Sequence, residues 1–126
     1  MKAHLCLLVA SLAASTALAC GVCIEDKVAS TYDHAVVSKA AADHRVMVFA
    51  AVDGHGSAKA LAASAKRAAG QVAGVDRASV RAAAEPAAAV SFALDPRALT
   101  PEAALGAIAQ NASQKGMKLT LLRVVP

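Results

Sequence analysis

From residue 45 onward the apolar positions alternate between two rhythms, and each change of rhythm is marked by a turn signal. Residues 45–52, Arg-Val-Met-Val-Phe-Ala-Ala-Val, are apolar on both faces of an extended chain, with Val46, Val48, Ala50 and Val52 on one and Met47, Phe49 and Ala51 on the other. That pattern predicts a strand inside a sheet rather than at its edge. Asp53-Gly54-His55-Gly56-Ser57 follows, where two glycines permit a tight turn and Ser57 is suited to cap a helix. The next helix buries Leu61, Ala65 and Ala68, with Ser64 beside the stripe, shows Lys59, Lys66 and Arg67 to solvent, and stops at Gly70 or Gly74. Period-2 patterning then predicts a short strand over 78–83 with Val80 and Ala82 inward and Arg81 outward. Glu85-Pro86 makes a turn, and a strand over 89–94 carries Val90, Phe92 and Leu94 on the core side. Asp95-Pro96 ends that strand, and Thr100-Pro101-Glu102 has the residues of a helix start: cap, proline at the first position, acid in the first turn. Leu105, Ile108 and Ala112 form the buried stripe of that helix, Gly116 its end, and residues 117–124 the last strand, with Met117, Leu119 and Leu121 on one side and Leu122 and Val124 on the other.

The order is β-α-β-β-α-β over 45–125, which right-handed crossovers fold into a four-stranded antiparallel sheet with both helices on one face, an α+β ferredoxin-like sandwich. One face of such a sheet is left open, and Met47 and Phe49 point to it. Upstream, residues 24–44 read as a single helix whose Ile24, Val28, Tyr32 and Val36 recur at i+4. That stripe is the expected cover for the open face; a second subunit, giving a homodimer, is the alternative.

The first nineteen residues change the picture of where the chain resides. Lys2, the apolar stretch from Leu5 to Ala14 and the small-residue end Ala17-Leu18-Ala19 are the three parts of a secretory signal peptide, too short in its apolar core to be a permanent membrane helix. Cleavage after Ala19 leaves a one-domain protein beginning at Cys20, divided into a segment and helix over 20–44 and the sandwich over 45–126. A lipoprotein signal is the rival reading, in which Cys20 carries a lipid, but such signals favour leucine where Ala17 stands. The expected location is therefore periplasmic or secreted. Loss of Lys2 lowers the formal charge from +4 to +3, a solubility feature rather than a nucleic-acid footprint, and one Tyr, two Phe and no Trp leave almost nothing for bases to stack on.

Of three cysteines, Cys6 leaves with the leader, so Cys20 and Cys23 remain as Cys-Gly-Val-Cys in an oxidising compartment. That spacing closes a disulfide, or holds a soft metal such as Cu(I), Zn or Hg as two thiolates. His34 lies eleven residues beyond Cys23, about 16 Å along a straight helix, too far to share its coordination shell.

Val72-Ala73-Gly74-Val75-Asp76-Arg77-Ala78-Ser79-Val80, Ala89-Val90-Ser91-Phe92, Asp95-Pro96 and Thr100-Pro101-Glu102 resemble the heavy-metal-associated (HMA) domains of copper chaperones, mercury-binding periplasmic proteins and metal-pump N-termini. The resemblance implies a soft metal ion as ligand, a membrane metal transporter as partner and no enzyme activity. In that family the first loop reads Gly-Met-x-Cys-x-x-Cys and its thiolates bind the ion. The matching positions here are Gly54, His55, Gly56, Ser57 and Ala60, and neither Ser57 nor Ala60 replaces a thiolate. The expectation is that Cys20 and Cys23 have taken over the task, with His55 as a further ligand, if the helix start folds back near the loop.

Two other readings of the same residues are a thiol-disulfide redox protein using the Cys20–Cys23 pair and a metal-free protein-interaction domain. Acylphosphatases share the element order, but they require an arginine in the first loop and residues 53–57 hold none. A Ser57–His55 dyad lacks an orienting acid, and paired carboxylates, a phosphate-loop motif and internal repeats are absent from the sequence.

Overall fold

A computed structural model describes residues 23–126. The expected signal peptide over 1–19 and Cys20 lie outside these residues. The elements are α1 (Ile24–Thr31), α2 (His34–Ala42), β1 (Val46–Asp53), α3 (Ala58–Ala69), a 3-10 turn (Arg77–Ser79), β2 (Arg81–Ala83), β3 (Ala89–Leu94), α4 (Pro101–Asn111) and β4 (Lys118–Val125). The four strands form one sheet in the order β2-β3-β1-β4, antiparallel at every pairing. The molecule is thus α+β, with four α-helices and a four-stranded antiparallel sheet among the described residues.

The two faces of β1 divide the interior in two. Val48, Ala50 and Val52 join Val90, Phe92, Leu94, Leu61, Ala65, Ala68, Leu105 and Ile108 in the larger core, between the sheet and α3 with α4. Alanines carry much of α3's contact surface, since Ala62, Ala65, Ala68 and Ala69 are all buried, which lets the helix lie close to the sheet. Ser64 is buried as well and its hydroxyl meets that of Ser113 at 3.1 Å. Met47 and Phe49, with Ala93, form a second core against Val28 of α1 and Ala40 of α2. The face expected to need a cover is therefore covered by the chain's own N-terminal helices.

That cover is two helices, not the single helix expected over 24–44. Asp33 is the reason: its carboxylate accepts the amide protons of Ala35 at 3.0 Å and Val36 at 3.3 Å, which starts a new helix, while Tyr32 and Asp33 are extended. Only half of the predicted stripe faces inward. Val28 is 5% exposed and Val36 half-buried, whereas Ile24 and Tyr32 are 53% and 51% exposed, and Ala40 and Val37 complete the contact instead. The Tyr32 ring still lies over Phe49, centroids 6.5 Å apart and nearly parallel.

Polar contacts pin α1 and the cap of α2 across the strands in turn. The Arg123 guanidinium of β4 grips the Glu25 carboxylate with both nitrogens, the Ser91 hydroxyl of β3 donates to the carbonyl of Thr31 at 3.1 Å, and Arg81 of β2 donates to Asp33 at 3.2 Å. The backbone amide of Val36 foremost, and Arg81 beside it, hold the Asp33 carboxyl below its ordinary value of 3.8. Its contribution is therefore present above that value and fades as pH falls through the lowered one.

Three further boundaries differ from expectation. Residues 77–79 form a 3-10 turn, capped by Asp76 onto Ala78, so β2 starts at Arg81. Helix α4 ends at Asn111, not Gly116, and Gly116 (φ +77°) belongs to the turn into β4. The register of β4 on β1 shifts between Phe49 and Ala50, from Arg123 to Leu121. This bulge places both Leu122 and Arg123 toward the α1–α2 side, and Val125 rather than Val124 packs in the second core.

His44 closes α2 with φ +55°, while Arg45 donates to the carbonyl of Ala40 at 2.8 Å and His44 to that of Ala41 at 3.2 Å. This is the left-handed helix end that glycine serves best. His44→Gly is expected to raise stability by about 0.5–1 kcal/mol, the relieved strain exceeding the added chain entropy. A lower urea midpoint for the variant would show that the histidine ring makes a contact worth more than the strain.

Candidate functional site

The candidate donors sit on two elements. Cys23 occupies the position just before α1, its carbonyl accepting the first helical bond from Lys27 at 3.2 Å. Its side chain caps no backbone amide; it is exposed, and Sγ donates to the Asp26 carboxylate at 3.1 Å. Glu25 and Asp26 stand in the first turn, where the helix field favours negative charge.

The second element is the loop 53–57. Ser57 is committed to the backbone, its Oγ accepting the amide of Ala60 at 3.1 Å, which accounts for its presence without any nucleophilic role. Gly56 has φ +108°, and a Cβ there would meet the Gln114 side chain at 3.0 Å. His55 is exposed, and its Cδ2 lies 3.6 Å from where a Cβ of Gly116 would stand. The loop's neighbours are thus Gln114 and Gly116 and, at Gly54, Leu61 and Met117, the last buried in the larger core.

Helix α1 and the loop share one opening. A cleft of about 330 Å³ is lined by Lys27 on one side and by Asp53, Gly54, Gly56, Leu61 and Pro86 on the other. Lys27 is one helical turn beyond Cys23, and neither Cys23 nor His55 lines this cleft. The two predicted ligands within the described residues, Cys23 and His55, are not joined by a third donor. No group of three His, Cys, Asp or Glu that could hold a metal ion occurs among the described residues. Cys20, the other half of the thiol pair, falls outside them. His34 faces Tyr32 Oη at 3.5 Å and Ser38 Oγ at 3.4 Å, away from any cysteine partner.

Sequence reasoning missed Glu25, Asp33, Arg81 and Arg123, the charged residues that fix α1 and the cap of α2 in place. Asp33 alone had a local signal, a good cap residue in the middle of a helical pattern. Among the described residues no helix is long and apolar enough to cross a membrane. No protein-family model matches the chain, and no curated protein or solved structure matches it significantly.

Proposed function

We propose that the chain is an extracytoplasmic, HMA-like protein built on a ferredoxin-like unit, and that it binds one soft metal ion, Cu(I), Zn or Hg, through Cys20 and Cys23. The loop that serves this purpose in HMA domains has no sulfur here, and the thiol pair at the head of α1 takes its place. The observation that carries the reading is the placement of Cys23: exposed, at the start of a helix pinned to two strands, and one turn from a residue lining the same cleft as the loop. A donor held on a fixed element loses little freedom when it binds, and two thiolates at this spacing suit a soft ion. His55 is the third candidate ligand, and a membrane metal transporter the corresponding partner.

Titration of the reduced protein with Cu(I) against a chromophoric chelator tests this. One ion per chain is expected, lost in the Cys20→Ser, Cys23→Ser double variant. His55→Ala weakens it about tenfold if the imidazole ligates, from the loss of one metal bond's worth of affinity. Binding that survives in the double variant rejects the proposal. The exposed thiol also suits a second reading, disulfide exchange by the same pair; insulin reduction by the metal-free protein, abolished in the same variant, would select it.

A further inference from the structure

A second site is written in arginines. Among the described residues Arg45, Arg81, Arg97 and Arg123 each donate to a carbonyl or carboxylate of the protein, while Arg67 and Arg77 donate to none. These two, from the last turn of α3 and from the 3-10 turn, line one cleft of about 310 Å³ together with Lys66, Gln71, Gly70 and Val80. No carboxylate lines it. Asp76, next to Arg77 in the chain, turns its carboxylate to the amide of Ala78 and borders a different cavity under α2.

Lys66 and Arg67 alone would be explained by the helix dipole, which favours cations in a last turn. Arg77 is not, since it comes from another element and its stem packs over Gly70 at the end of α3. Three like charges around one opening repel each other unless an anion lies between them. Each guanidinium fork matches a pair of phosphate oxygens, and the third cation adds to the attraction for an anion. The floor of Val80, Gly70 and the aliphatic stems suits a small organic body beside the anion, and the volume is at the lower end for small-ligand sites.

We infer that Lys66, Arg67 and Arg77 form a binding site for a phosphate monoester or diester group, separate from the thiol pair. The phosphate belongs either to a soluble phosphorylated molecule or to a phospholipid headgroup. The test is a ¹H–¹⁵N NMR titration of the folded protein with inorganic phosphate and glycerol 3-phosphate, against sodium chloride at matched ionic strength. Saturable shifts are expected at the amides of residues 66–71 and 77–80, with affinity at least about tenfold lower in the Arg67→Gln, Arg77→Gln double variant and unchanged in Lys59→Gln. Vesicles of phosphatidylglycerol, with phosphatidylcholine as control, form the second arm: broadening of the same amides, reversed by free phosphate, assigns the headgroup, and binding of the free esters alone assigns a soluble ligand. Shifts that fail to saturate, that are as large near Lys59 and Lys115, or that persist in the double variant, and absence of binding in both arms, overturn the inference. All substituted side chains are exposed, so the variants retain the fold.

Discussion

Phe49→Ala is expected to lower unfolding stability by about 3–5 kcal/mol, the range for emptying a fully buried aromatic position. Phe49 is 1% exposed, at the centre of the smaller core, where it touches the α1–α2 layer and carries the Tyr32 ring above it. An open-faced sheet would leave this ring in water, and its removal would then be nearly neutral. Urea unfolding followed by circular dichroism separates the two cases. A loss below about 1 kcal/mol would mean that the cover is not part of the folded unit.

Val28→Asp should match that cost by a different route. Val28 is 5% exposed, and a carboxylate there either stays charged against Met47 and Phe49 or takes up a proton. Because α1 and α2 reach the sheet mainly through this side chain, Ala40 and three polar contacts, the expected result is local. Hydrogen exchange should show the amides of 27–42 losing protection while those of β1 and β3 keep theirs. Ile24→Asp is the comparison, on the same predicted stripe but 53% exposed, and should cost no more than about 0.5 kcal/mol. Equal effects at 24 and 28 would mean that Ile24 packs on the sheet as Val28 does, against its exposure here.

The parts of this fold that could be read from the sequence are those with local signals. Ser57 and Thr100-Pro101 announce their helices because a cap acts within three residues, and both do cap as expected. Val90, Phe92 and Leu94 announce β3 because its period is two. The break in the N-terminal helix was hidden because Val28, Tyr32 and Val36 keep helical spacing across it, and the alanines after them weigh little in any periodicity. The bulge in β4 was hidden because LTLLRVV reads equally well in either register; only the pairing of Arg123 with Glu25, ninety-eight residues away, shows which face it takes. The metal reading rested on Cys20, Cys23 and His55. The structure shows Cys23 exposed on a fixed helix and His55 exposed on the loop, without a third donor between them among the described residues. The arginine cleft had no sequence signal at all, since Arg67 and Arg77 meet only through the path of the chain between α3 and β2.

The proposed relocation of a metal site from the loop to the amino end is tested most directly by native mass spectrometry of the reduced protein, expressed with its full leader and offered one equivalent of Cu(I). The expected spectrum is a chain beginning at Cys20 and carrying one copper, with the copper gone in the Cys20→Ser, Cys23→Ser variant. A chain of the same mass that stays bare, or a copper retained after both thiols are removed, would contradict it.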